Sequence, residues 1–289
     1  MQINGVLNAL RFKKDILWII IWLTGLVLVL GWNLLFLNAP AFSKLLTGTG
    51  NTFISGLITV KFAGAAGFAV GIFTAYSKDT HPVLYLILRS VTDSVKSVPQ
   101  ILGVLFAYLL ILMLRNNGVI ESQITGLIFT ALLVSLFFMP EISELTEERV
   151  AKYRETDFFD ANRVLGINVL RIITVDILLK NSAPHVINKF VSLYGLSVFL
   201  QTSADFILSV GLSSDVNLVD LNTTLGSLLA AMDSKQDILA LGGLISNPFY
   251  IGEILTTHLL GVTVAFLISF TLLCFYKISN HLIERRELI

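Results

Sequence analysis

The chain has 289 residues with 20 acidic and 20 basic side chains; 55% of it is hydrophobic and only 14% charged, and its mean hydropathy is +0.80. A soluble domain of this size carries nearly twice that charged fraction, so a soluble globular protein is excluded, and the balanced charge speaks against a nucleic-acid partner. Its apolar residues fall in runs long enough to cross a hydrocarbon core, which takes about 20 helical residues. The expected fold is an all-α polytopic membrane protein with six transmembrane helices.

The spans are expected at roughly 16–37, 52–77, 98–115, 123–140, 186–211 and 254–276. A short basic amphipathic start, Met1–Lys14, leads into the first. That first run is about 22 residues long, beyond the h-region of about 7–15 in a signal peptide, and no small-x-small site follows, so it reads as an uncleaved anchor. Asn38-Ala39-Pro40 and Gly48-Thr49-Gly50-Asn51 are turn-forming clusters in the loop that follows. The second span is rich in small residues (Gly56, Gly64, Ala65, Ala66, Gly67, Ala69, Gly71), which let helix backbones approach closely. Packing within the chain is the simpler reading of them, and contact with another subunit or a pathway is the alternative.

The third span is short and is expected to extend backward through an amphipathic stretch from Val83 that carries Arg89, Asp93 and Lys96. Pro99 at the junction either starts the span or kinks it. After the fourth span, Glu141–Glu155 has charges at helical i,i+3 and i,i+4 spacing, for example Glu148 with Lys152, and should continue the helix into water.

A charged, amphipathic block follows, up to Pro184, lying between apolar spans and therefore outside the bilayer. Thr156-Asp157 offers an N-cap, with Asp160 completing a capping-box-like pattern. Phe158 to Leu165 makes about two helical turns, and Gly166 supplies a left-handed C-cap. Asn168 can cap a second helix, Val169–Lys180, whose Val169, Ile172, Ile173, Ile177 and Lys180 mark a face for the membrane surface. Pro184 suits the first turn of the fifth span. Phe158, Phe159, Val164 and Leu165 are a large apolar load for so short a helix. They need either a partner protein or the chain's own cytoplasmic helices to cover them.

The longest loop, Ser213–Tyr250, contains an apparent helix at 224–232 and an acidic bias from Asp215, Asp220, Asp233 and Asp237, and a re-entrant or interfacial hairpin is expected there. Of the 20 Lys and Arg, only Lys44, Arg115 and Lys235 fall on the outer side when the N-terminus is cytoplasmic, with Lys61 inside a span. The positive-inside rule therefore puts both termini and the charged block in the cytoplasm.

Lys61 in the second span and Asp205 in the fifth are intramembrane charges, which are costly and usually face a partner, a pathway or a cavity. They either line a translocation route or pair with each other; the plain alternative is that Lys61 snorkels and Asp205 sits near the outer interface. Gln201, Thr202 and Ser203 form a polar cluster that either contacts solute or satisfies helix carbonyls. His185 and His258 have no ligand spacing, nor do Glu253 and His258 share a face, so no metal site is expected. Cys274 stands alone, which rules out an internal disulfide. No nucleophile-base or paired-carboxylate constellation points to an enzyme.

The block reads D-A-N-x3-G (Asp160, Ala161, Asn162, Gly166), then nine residues, then D-I-L from Asp176. It lies between the fourth and fifth spans and resembles the EAA loop of ATP-binding-cassette (ABC) importer permeases. Asp93 six residues before Pro99 in DSVKSVPQIL, and LQTSADFILSVGLSS followed by TTLGSLL, are similar to the dipeptide, oligopeptide and nickel branch of that family. The likeness covers roughly 51–277, leaving 1–50 as the N-terminal segment with the first span and outer loop, 141–184 as the coupling loop and 278–289 as a cytoplasmic tail. Asp160 stands where the family has Glu, Asn162 where it has a second Ala, Leu179 where it has Pro, and Thr202 where it has a Glu in the fifth span. The chain is thus similar to a divergent member.

The resemblance implies a permease subunit of an importer in a bacterial inner membrane. It would carry peptides or a similar small polar solute and would be one half of a heterodimer with a second permease. Two cytoplasmic ATPase subunits and an extracytoplasmic solute-binding protein would complete it, with membrane lipid around it. Coupling to the ATPase falls on Phe158, Phe159, Asp160, Ala161, Asn162, Arg163, Leu165 and Gly166. The route falls on Lys61, Gln201, Thr202 and Asp205. No phosphate-binding loop is present, so ATP and Mg belong to the partner and this chain is expected to bind no cofactor. A secondary transporter, with inverted repeats and no ATPase, and a membrane assembly protein are the competing classes.

Overall fold

The computed structural model describes residues 14–211, 223–231, 234–257 and 259–287, and among them there is no β-strand. Five helices are long and apolar enough to cross a membrane: α1 (Lys14–Phe36), α2 (Ala39–Thr80), α5 (Gln123–Arg154), α8 (Ala183–Gly211) and α12 (Leu259–Glu287). The sixth span is a bent pair, α3 (Pro82–Ser97) and α4 (Gln100–Asn116), which meet at 89°. The chain is an all-α polytopic membrane protein.

The bend decides between the two roles expected of Pro99: the stretch from Val83 belongs with the third span, and Pro99 breaks it sharply. Proline disfavours the α region for the residue before it, and Val98 accordingly adopts an extended φ of −82° and ψ of 124°. The helix stops there and restarts behind Pro99. α3 therefore precedes α4 as a separate amphipathic helix at a sharp angle to it, and neither continues the other in a straight line.

α2 differs from expectation at its other end. Asn38-Ala39-Pro40, expected as a turn in the outer loop, instead starts the helix: the Asn38 Oδ1 accepts from the Ala41 amide at 2.9 Å, with Pro40 in the first turn. Nor is Gly48-Thr49-Gly50-Asn51 a turn; the helix runs through it. The Thr49 and Thr52 hydroxyls donate to the carbonyls of Leu45 and Gly48 in the same helix. Gly48 lies against Leu228 and Thr224, so close that a Cβ there would stand 2.7 Å from Leu228. Tertiary packing overrides local turn preference here.

α2 and α5 run parallel and rise together: Thr59 Oγ1 donates to the Ala131 carbonyl at 3.3 Å, Gly67 abuts Met139 and Ile142, and Gly71 abuts Ser143 and Thr146. A Cβ at Gly67 or Gly71 would come within 2.8 Å of α5 atoms. The small residues thus serve packing within the chain, Gly64 against Phe190 and Gly56 against Val198 of α8. Ala65 and Ala69 stay exposed. The main core forms where α2, α4, α5 and α8 meet, around Val60, Ala63, Val104, Val134, Phe138 and Leu193.

α1 is peripheral, only 6% of its apolar window being buried. Two polar clasps hold it to α12: Asn33 and Thr263 exchange hydrogen bonds at 2.9 and 3.0 Å, and Trp22 Nε1 donates to Thr271 Oγ1 at 3.1 Å. Interhelical polar bonds of this kind are each worth about 0.6–2 kcal/mol in a membrane protein.

The 224–232 helix of the sequence reading is α9 (Leu225–Ala230), capped by a reciprocal pair between Thr224 and Ser227. It is followed by α10 (Ser234–Ser246) and α11 (Ile251–Thr257). Asp215, Asp220, Asp233 and His258 lie outside the described residues, as does the start of the chain up to Lys13.

Candidate functional site

The charged block folds onto the end of α5. α5 continues through Pro140 as one helix to Arg154, as the charge spacing predicts, but its acids act differently. Glu147 takes Arg89 at 3.0 Å, Glu144 takes Lys96 at 2.6 Å, and Glu141 takes Lys189 at 2.5 Å and Gln100 at 3.3 Å. Glu148 and Lys152 form no ion pair. These contacts lash α3, α4 and α8 to α5. Arg89 and Lys96, seven residues apart on one face of α3, matched to acids three apart on α5, were the signal in the sequence.

α6 (Asp157–Val164) is the short helix expected at Phe158–Leu165. Its capping box does not form: the Thr156 hydroxyl donates back to the Tyr153 carbonyl at 2.6 Å and leaves the N-terminal amides without a side-chain cap. Its other end matches expectation. Gly166 has φ of +76°, its amide reaches the Arg163 carbonyl at 2.9 Å, and the Ile167 amide reaches the Asn162 carbonyl at 3.1 Å. That pair of bonds is a Schellman C-cap, which needs the left-handed conformation glycine adopts at little cost. Asn168 then caps the next segment through the Leu170 amide at 2.9 Å.

That segment is helical but neither wholly α nor at the membrane surface. After α7 (Val169–Arg171), residues Ile172–Asn181 form a π-helix, a rare wide turn often found at functional sites. Ile172, Ile173, Ile177 and Leu178 are buried with Ala75, Val150 and Phe159 in a second apolar cluster. The interfacial face is thus a packing face: α2 and α5 extend far enough beyond the span to cover it with protein before lipid can.

The apolar load of α6 divides between the two expected fates. Phe159 is buried in the cluster, with the Arg154 guanidinium 5.6 Å above its ring, and Arg154 also donates to the Ala75 carbonyl at 2.7 Å. Phe158 stacks edge-on with Tyr153 at 5.9 Å. Val164 and Leu165, by contrast, are 87% and 77% exposed, beside exposed Asp160, Ala161, Arg163 and Gly166 and the half-buried Asn162, whose Nδ2 bonds the Phe158 carbonyl. Arg149 stiffens the base from below, donating to Ser182 Oγ at 3.2 Å. The result is a short helix rigidly seated on one side and bare on the other.

The second group of candidates lies nearer the opposite end. Gln201 is buried, takes a hydrogen bond from Ser55 and donates to Thr59 and Ser197. Thr202 donates to the Val198 carbonyl. Asp205, 4% exposed, bonds Tyr108 and Thr224. Gln201, Ser55, Asp205, Tyr108 and Thr224, with Thr52, Arg115 and Thr130, line a cavity of about 30 Å³ between α2, α4, α5, α8 and α9, and Thr202 does not line it; the cavity has room for about one water. Gly226 of α9 sits so close to α8 that a Cβ would be 2.3 Å from the Thr202 carbonyl. Tyr108, Ser55 and Thr224 were not singled out from the sequence; nothing in local spacing connects them to Asp205.

Lys61 is elsewhere. It is exposed on α2, while Asp205 is buried among other partners, so the two charges do not pair.

Five long apolar helices with one bent pair, an acidic lashing at one end and a half-bare helix on a glycine elbow define a polytopic membrane component. Residues 67–288 match the family of binding-protein-dependent transport system inner membrane components. The match covers well over half of the chain, and the protein belongs to that family: it is a multi-pass inner-membrane permease subunit of an ABC transport system that works with an ATPase and a binding protein. No curated protein matches it.

Proposed function

We propose that the chain forms one half of the membrane pathway of an ATP-driven importer for peptides or a similar small polar solute, paired with a second, distinct permease. The half-bare α6 on its Gly166 elbow carries this reading. Phe158, Phe159, Asp160, Ala161, Asn162, Arg163, Leu165 and Gly166 form the coupling site: Phe159 anchors the helix, and the exposed residues meet the ATPase. Both termini then lie in the cytoplasm with α6, and ATP and Mg are held by the partner.

The mechanism follows from the seating of α6. An ATPase can drive a permease only if its two states bind the two permease conformations with different affinity. Closure of an ATPase dimer displaces α6. Phe159 and Arg154 tie α6 to α5 and to Ala75 of α2, so the displacement passes into two helices that cross the membrane in register. The ion pairs from Glu144 and Glu147 carry it on to α3. The route itself runs beside Lys61, Thr202 and the polar cavity lined by Gln201 and Asp205, with α9 closing that cavity.

Purification of the tagged chain in mild detergent, beside Gly166→Pro, tests the reading. Proline cannot adopt φ of +76° and has no amide to reach Arg163. A co-purifying subunit with a phosphate-binding loop, lost from an inserted and folded mutant, is the expected result. Wild type that brings down no ATPase from intact membrane complexes overturns it in favour of a self-sufficient transporter.

A further inference from the structure

We infer that Lys61 places a fixed positive charge in the aqueous route at mid-membrane, and that the route thereby favours solutes carrying a carboxylate. This rests on the reading of the chain as half of a permease. It is argued from depth and exposure. Thr59 lies level with Ala131, which is eight residues after Gln123 and ten before Glu141 on α5. At about 1.5 Å per residue, Lys61 therefore sits about 15 Å from the Gln123 end of the span and about 12 Å from Glu141. A lysine stem extends only about 6 Å, so the ammonium cannot reach either edge of the apolar zone by snorkelling.

It nevertheless points outward. Leu57, Lys61, Ala65 and Ala69 form a stripe four residues apart on the exposed side of α2, opposite the glycines that pack on α5 and α8. Lys61 is the only charged residue between Leu45 and Ser77, and it pairs with no acid among the described residues. A charge facing hydrocarbon at this depth is costly, and intramembrane lysines face bundle interiors or water-filled cavities. Ala65 and Ala69 on the same stripe are small, so another chain can approach there while leaving space for water. The stripe is thus a wall of the route. Its one fixed charge attracts anionic groups, and low-dielectric walls concentrate that field.

Thiol-labelling in the assembled transporter reads this directly without knowledge of the solute. In a Cys274→Ser background, Leu57→Cys and Ala65→Cys are each made with Lys61 and with Lys61→Gln. De-energised vesicles are treated with the anionic sulfonatoethyl and the cationic trimethylammonioethyl methanethiosulfonates. The expectation is that at least one cysteine reacts, that the anionic reagent is favoured when Lys61 is present, and that this preference falls by about tenfold in Lys61→Gln. Failure of both cysteines to react in complexes that retain their ATPase places the stripe in lipid and overturns the inference alone. An unchanged preference means that an acid of the second permease neutralises Lys61, which also overturns it. Loss of the ATPase from the parent complex counts instead against the permease reading.

Discussion

At the scale of single residues, neighbouring side chains on α6 do opposite jobs. Phe159 is buried among Val150, Ile172 and Ile177, and Phe159→Ala removes a large core side chain, a change that costs about 3–5 kcal/mol. Thermal unfolding in detergent should show it as a clear drop in stability. Val164 is almost wholly exposed; Val164→Asp should leave stability within about 0.5 kcal/mol yet reduce ATPase retention. If the two variants fall together in both measurements, α6 is merely packed. The sequence carried both residues as one apolar group, because a two-turn helix has no long periodic record of which side is covered. Gly166 was legible, since a glycine closing an amphipathic run has few other physical meanings. Asp205 was visible as an intramembrane charge, but its partners Tyr108 and Thr224 are 97 and 19 residues away, and only the fold brings them together.

At the scale of elements, hydropathy finds every long helix, because each must satisfy its own backbone in lipid, but not their ends: α2 starts at Ala39 where the span was expected from 52, and α12 runs on to Glu287 past the expected 276. It fails where something other than lipid decides. Gly48–Asn51 is helical because α9 packs against it, and 172–181 is a π-helix with one face buried against α2 and α5. The contact between α2 and α5 relies on Gly67 and Gly71. Gly67→Val puts atoms into Ile142 and the Met139 carbonyl, where a Cβ alone would be 2.6–2.7 Å away. Overpacking of this kind costs about 1–3 kcal/mol, and the expected outcome is a lowered melting temperature with reduced ATP-driven uptake. A Gly31→Val control, where nothing lies within 4 Å, should change neither.

At the scale of the whole molecule, charge is divided between the two ends of the bundle. The extension of α5, with α3 and α6, gathers the acids and cations that lash the helices, and the opposite end holds α9 and the polar cavity. On the proposed orientation, the positive-inside asymmetry puts the first of these ends in the cytoplasm. Reporters fused to either terminus should therefore be active only as cytoplasmic fusions, and a reporter at Val119, between α4 and α5, only outside. The family membership fixes the kind of machine; on the reading proposed above, the ATPase docks at the α6 end.

Photo-crosslinking from Val164 tests that claim most directly. A benzoyl-phenylalanine at Val164, in cells making the complete transporter, should form an adduct with the ATPase subunit, and the same group at exposed Val119 should form none. Absence of the adduct at Val164 while the complex remains intact, or equal adducts at both positions, would contradict coupling through α6.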